Sequence, residues 1–148
     1  MRSRAAAILA AGLIAAAAPA MAHHGDAGRY EDTLYTVKGT IVEIRLTNPH
    51  SIVVFSGPDE QAGGKVVNWQ AELNGAQQLM REFGWTKDSP KVGDKITVSG
   101  RRVKNGAPYM SMTKRAATIV MTDTGKEIFR APDITGPPSA AAGRGSEQ

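Results

Sequence analysis

Thr36-Val37-Lys38-Gly39-Thr40-Ile41-Val42-Glu43-Ile44-Arg45-Leu46 is the stretch that decides the fold. In its first half Val37, Gly39 and Ile41 alternate with Thr36, Lys38 and Thr40; in its second half Val42, Ile44 and Leu46 alternate with Glu43 and Arg45. A strand can exchange the parity of its apolar set only by inserting a residue, so the pattern predicts a bulge near Ile41 and Val42. A bulge bends the strand, as a curved, closing sheet requires, and Gly39 suits tight coiling of the same segment.

Downstream, Asn48-Pro49-His50 breaks the alternation, because proline donates no backbone N–H and restricts the residue before it. Ser51 to Ser56 reads as a second strand and Gly57 to Gly64 as a hairpin loop. In a third strand, Lys65 to Leu73, Val67, Trp69, Ala71 and Leu73 share one face and Asn68, Gln70 and Glu72 the other. Asn74 is placed to cap a helix over Gly75 to Phe83, with Leu79, Met80 and Phe83 on its inner face and Gly84 as its stop. Val92-Gly93-Asp94 turns into a fourth strand, Lys95 to Val103; Asn105-Gly106 is a hairpin signal; and Tyr109 to about Met121 reads as one long, bent last strand. Asp123-Thr124-Gly125 then turns into a short Lys126 to Arg130 extension.

Upstream, Arg2 and Arg4 precede an almost unbroken apolar run from Ala5 to Ala18, the pattern of an export leader. The run is too short to span a bilayer, which takes roughly 20 apolar residues. Two small-x-small sites overlap, one releasing a chain that begins at His23 and one releasing a chain that begins at Met21; the position of Pro19 favours the first. The expected organisation is a signal peptide over 1–22, an N-terminal arm over 23–35, one β domain over 36–130 and a disordered Pro- and Gly-rich tail over 131–148.

The chain carries 18 Lys and Arg against 14 Asp and Glu. Loss of Arg2 and Arg4 with the leader leaves 16 against 14, a net charge of +2, and no basic run exceeds Arg101-Arg102. That balance gives no reason to expect nucleic acid as a partner, and the leader argues against stable membrane insertion once it is removed. The chain has no cysteine, so neither disulfides nor thiolate ligands are available and the domain must be held by packing.

Three strands, a helix and two further strands, with the first strand bulged, is the order of a mostly β, five-stranded OB-like barrel with one short helix between strands 3 and 4. His23-His24, Thr47-Asn48-Pro49-His50, Val67-Asn68-Trp69, Gly84-Trp85-Thr86-Lys87-Asp88 and Val92-Gly93-Asp94-Lys95-Ile96-Thr97-Val98 together resemble an uncharacterised secreted bacterial family, domain of unknown function 6152. The resemblance spans about His23 to Phe129 and implies export without implying a mechanism.

All three histidines fall at two places, His23-His24 and His50. A chain beginning at His23 offers an α-amine and an imidazole that chelate Cu(II) in a small ring, with His24 or His50 to complete a nitrogen-rich site. The plainer reading is a polar chain end beside a turn. A chain beginning at Met21 places histidine third, which also captures Cu(II). Met110, Met112 and Met121 are candidate soft ligands but better core fillers. Trp69, Trp85, Tyr109 and Phe55 are candidates for an aromatic platform that stacks a ligand, but most of them read as core; Trp85, which follows the helix stop, is the exception and, with Asn48 and His50, is a candidate to line a ligand groove. Ser51 beside His50 is adjacency rather than a catalytic pair, and Glu43 and Glu72 occupy solvent-facing strand positions, where charged residues serve solubility. The expectation is therefore a periplasmic or secreted, non-enzymatic module that binds a small ligand, a metal ion or an envelope protein. The alternative is a copper-handling protein using His23, His24 and His50; any cofactor is otherwise unknown.

Overall fold

The expected bulge is present: the register between the first two strands shifts between Ile41 and Glu43. The computed structural model describes residues 28–133, so the segment read as a leader, the His23-His24 pair and nearly all of the segment read as a tail lie outside the described residues. The elements are β1 (Tyr35–Arg45), β2 (Ser51–Asp59), β3 (Lys65–Leu73), α1 (Ala76–Phe83), β4 (Lys95–Arg102), β5 (Tyr109–Ser111), β6 (Thr118–Met121) and β7 (Glu127–Arg130). The bulge lets β1 serve two neighbours. Tyr35 to Thr40 pair with β4, and after the shift Glu43 to Arg45 pair with the start of β2. Val42 at the bulge is exposed, while Ile44 and Leu46 pack against the core.

One sheet results, ordered β1-β2-β3-β5-β4-β6-β7, and the β1–β4 pairing closes five of its strands into a ring. All its pairings are antiparallel except β3 with β5. No helix of the described residues is long and apolar enough to cross a membrane.

Several elements differ from the sequence expectation. Strand β2 runs on to Asp59, because Gly57, Pro58 and Asp59 pair with Val67, Val66 and Lys65 and the loop shortens to a 3-10 turn, Glu60–Ala62. The expected long last strand is two strands. Both β5 and β6 run along the same edge of β4, but Met112 donates its backbone N–H to Glu72 O and draws β5 toward β3. The chain regains β4 through residues 113–117, with Arg115 and Ala116 at φ 58° and 51°. The extension over 127–130 pairs with β6 as a seventh strand. On α1, Leu79 is buried and Phe83 lies 5.0 Å from Phe129, but Met80 is 54% exposed.

Within the ring, Trp69 is fully buried between Phe55 and Tyr35, at centroid distances of 6.4 Å and 5.5 Å. Met110 and Met112 fill the space over Gly100, where an added Cβ would lie 2.5 Å from Met112 Sδ. Met110 and Met112 are thus core packing. Gly39 is required by a close approach rather than by its φ: a Cβ there would stand 2.4 Å from Ser56 O and 2.7 Å from Phe55 Cδ2.

The inward position at the end of β4 holds a charge. The Arg102 guanidinium donates to both carboxylate oxygens of Asp59 at 2.7 Å, donates to Gly106 O, and lies 4.8 Å from the Trp69 ring and 5.2 Å from Tyr35. These bonds hold the Asp59 carboxyl below its ordinary value of 3.8, with the Arg102 hydrogen bond the largest cause. A lowered folded-state pKa gives stability that is present above the unfolded carboxyl's pKa and lost as pH falls through the folded value. Arg102→Ala is expected to cost about 3–5 kcal/mol, since it strands a buried carboxylate, while Arg102→Met with Asp59→Leu recovers most of that loss. Urea denaturation measures both; a double variant as unstable as the single one would refute the account.

Candidate functional site

Thr47-Asn48-Pro49-His50 connects β1 to β2 and is fastened at several points. Thr47 exchanges hydrogen bonds with the buried Ser51 hydroxyl, which accepts from Thr47 N at 3.2 Å and donates to Thr47 O at 3.1 Å. Thr47 Oγ1 donates to His50 O at 2.6 Å. The corner also terminates α1. Ala76 N donates to Thr47 O at 2.9 Å, and Asn48 Oδ1 lies 3.5 Å from Gln77 N. The sequence placed Asn74 as the cap, but the N-cap residue is Gly75 and makes no side-chain cap bond, while Asn74 Nδ2 donates to Gln78 instead. Helix N-termini need acceptors from outside the helix, and here the neighbouring loop supplies them. Gly75 permits the approach, since a Cβ there would stand 2.5 Å from Asn48 Oδ1.

His50 sits at the end of this corner, its side chain 53% exposed, with Nδ1 3.4 Å from Glu72 Oε1. The other Glu72 oxygen accepts a short hydrogen bond from the Tyr109 hydroxyl. An imidazole from the β1–β2 connection, a carboxylate from β3 and a phenol from β5 therefore form one chain of polar contacts. Burial pushes the Tyr109 hydroxyl above its ordinary value of 10.0, and its bond to Glu72 adds to that shift. The register places this chain on the outer face, beside Ile52 opposite Glu72 and Val54 opposite Gln70. Arg29 extends it: its guanidinium lies 5.9 Å from the Tyr109 ring, and its carbonyl accepts from Lys104 N at 3.0 Å.

Trp85 does not join Asn48 and His50. It is 2% exposed and donates Nε1 to Ile128 O at 2.7 Å, so it belongs to the core beneath β7 and its one donor is used. Asn48 is spent on the helix terminus. Of the three expected groove residues, His50 alone faces a polar surface. The residues passed over are Glu72, assigned to solubility, and Tyr109, assigned to the core; the outward parity of Glu72 within β3 is the signal that places it beside a β1–β2 loop residue. A separate shallow cleft of about 280 Å³ lies between Ile44 and Leu46 of the β1 end and Thr86, Lys87, Pro90, Lys91 and Val92. Ser51 is fully buried and its hydroxyl is engaged by Thr47, so it does not face His50 as a nucleophile. Among the described residues no group of three or more His, Asp or Glu could hold a metal ion, and His23 and His24 lie outside the described residues.

Residues 10–110 match the model of a family of unknown function, DUF6152. The chain belongs to this family. The match covers β1 to β4, α1 and the first two residues of β5, and so includes His50, Glu72 and Tyr109 of this DUF6152 member. No curated protein and no solved structure matches the chain.

Tyr109 is expected to ionise above pH 10 in ultraviolet titration, and Glu72→Gln to remove part of that shift and leave the part due to burial. Because the folded-state value is raised, the associated stability is full below the unfolded tyrosine pKa and declines as pH rises through the folded one. A titration curve unchanged by Tyr109→Phe would contradict this assignment.

Proposed function

We propose that the chain is an exported, non-enzymatic binding module of OB type, whose ligand surface is the outer face of β2, β3 and β5 around His50, Glu72 and Tyr109. The fold reading draws on the ring order β1-β2-β3-β5-β4, with β3 parallel to β5 and α1 between β3 and β4. That is the strand order of a five-stranded OB barrel, whose ligands lie over strands 2 and 3 and between the loops joining strands 1–2 and 4–5. One observation carries the assignment of the surface: the polar chain of His50, Glu72 and Tyr109 crosses that region, partly exposed and built from three separate elements. Half-buried Ile52 beside it, with exposed Gln70, supplies the mixture of packing and hydrogen-bonding groups that small-molecule sites use.

Export rests on the Arg2 and Arg4 n-region, the apolar run and the Ala20-Met21-Ala22 site, and assigns the mature chain to the periplasm or the exterior. The non-enzymatic reading is supported by the engagement of Ser51 with backbone groups. Copper handling by His23, His24 and His50 is the second reading, favoured by the carboxylate that stands against His50 Nδ1.

Two measurements test this reading. Expressed with its leader in a bacterium, the chain is expected in the periplasmic fraction with His23 as its first residue by mass spectrometry; an uncleaved cytosolic product would end the export claim. A nuclear magnetic resonance screen of monosaccharides, amino acids, dicarboxylates and nucleosides at millimolar concentration is expected to shift amides of Ile52, Gln70, Glu72 and Ser111, and Glu72→Ala to abolish those shifts. Binders gathered instead at the Ile44, Leu46 and Val92 cleft would refute the proposed surface.

A further inference from the structure

We infer that the ligand of this surface is a small acid, whose oxyanion, a carboxylate or a phosphate, is held at the Arg29 and Arg101 end and whose polar body lies over Tyr109 toward Glu72. The inference rests on the proposed binding surface and names the class of molecule it takes.

Strand register brings a cation to this face. Ser111 pairs with Glu72 on one side and with Arg101 on the other, so Glu72, Ser111 and Arg101 stand in one row across β3, β5 and β4. Neighbouring strands lie about 4.8 Å apart, which puts the backbone of Arg101 roughly 10 Å from that of Glu72. Arg102, the next residue, turns inward to Asp59, and Arg101 therefore points outward. Arg101 is nevertheless only 8% exposed, because the chain before β1 crosses it. Tyr30 bridges to Val103, Glu31 N donates to Arg102 O, and the Tyr30 ring lies 5.5 Å from the Arg101 guanidinium.

A second guanidinium stands against the same ring. That of Arg29 lies 5.3 Å from the centre of Tyr30 and 5.9 Å from that of Tyr109, whose hydroxyl is bonded to Glu72. Arg101, Tyr30, Arg29, Tyr109, Glu72 and His50 thus form one continuous line of side chains, with both guanidiniums toward one end. A guanidinium held against aromatic faces keeps its edge N–H donors for a planar acceptor.

Charge balance fixes the sign of that acceptor. Asp32, two residues beyond Tyr30, pairs with Arg115; Asp59 is taken by Arg102; and Glu72 is engaged by Tyr109 and His50. Glu31 meets Arg101 through its backbone carbonyl, which accepts from Nε at 3.0 Å. Among the described residues neither Arg29 nor Arg101 is ion-paired. Buried charges are normally paired, and here two like charges share one ring with no carboxylate between them. An arriving oxyanion supplies the counter-charge and accepts from the guanidinium fork; a neutral ligand does neither.

The probes are malate, inorganic phosphate and the neutral diamide malamide, each titrated into the purified chain at constant ionic strength and followed by nuclear magnetic resonance. Malate or phosphate is expected to shift the Arg29 Nε–H and the Tyr30 amide saturably, and the tighter of the two identifies the oxyanion. Malamide is expected to bind at least 10-fold more weakly than malate. Arg29→Gln, which changes an exposed side chain, should retain the fold by circular dichroism and weaken anion binding by about 10-fold or more. Arg29→Lys, which keeps the charge but not the fork, should recover only part of that loss. Anions gathered at Lys87 and Lys91 instead, malamide binding as tightly as malate, or indifference to Arg29→Gln overturns the inference. If neutral molecules nevertheless shift the Glu72 and Ser111 amides, the binding surface stands and only its ligand class fails; if nothing shifts them, both readings fail.

Discussion

A guanidinium enclosed in an aromatic ring of strands is the constraint on which the other parts depend. Arg102 holds Asp59 at the end of β2, Gly106 O in the β4–β5 turn, and the faces of Trp69 on β3 and Tyr35 on β1. One side chain thereby indexes four strands and a turn. A buried ion pair of this kind contributes little net stability compared with apolar residues of the same shape, because desolvation offsets the attraction, yet losing one partner is costly. Its physical effect is to penalise other registers: a slip of β2 against β3 would carry Asp59 away from Arg102 and leave two charges without water or partner.

That register reaches the outer surface. The turn held at Gly106 returns the chain so that Tyr109 pairs opposite Gln70, which brings its hydroxyl to Glu72 one pleat away. From the other side, Ser51, Gly75 and Ala76 fix the Thr47 to His50 corner, and the corner brings His50 to the same carboxylate. Interior charge and exterior polar chain are thus two consequences of one alignment of β2, β3, β4 and β5. The corner joins α1 to the same alignment, because the helix has no cap of its own and takes its acceptors from Thr47 and Asn48.

What could be read in the sequence follows from range. The bulge was legible because parity is a local property: Ile41 and Val42 are adjacent, and the exchange of phase is visible without knowing what pairs with what. The helix stop at Gly84 and the inward set of Trp69, Ala71 and Leu73 were legible for the same reason. Trp85 was not, because its indole is satisfied by Ile128, 43 residues later in a strand too short to stand out. The break between β5 and β6 was hidden because it arises from the bond of Met112 N to Glu72 O, a competition between two neighbouring strands for one. Glu72 could be read only as outward-facing, because the two partners that reach it, His50 and Tyr109, come from distant parts of the chain.

The site also illustrates why a candidate is better sought in convergence than in adjacency. His50 and Ser51 are neighbours in sequence and do different work: Ser51 is buried and spent on the backbone of Thr47, while His50 faces Glu72 across the sheet. Glu72 has both oxygens in polar contact, one with Tyr109, which strand register places, and one with His50, which the fastened β1–β2 corner places. A carboxylate so held has lost most of its rotational freedom in the folded state. Maintaining that arrangement requires the bulge in β1, the ring closure and the buried Arg102 together, which is why a surface of three modest side chains depends on the whole sheet.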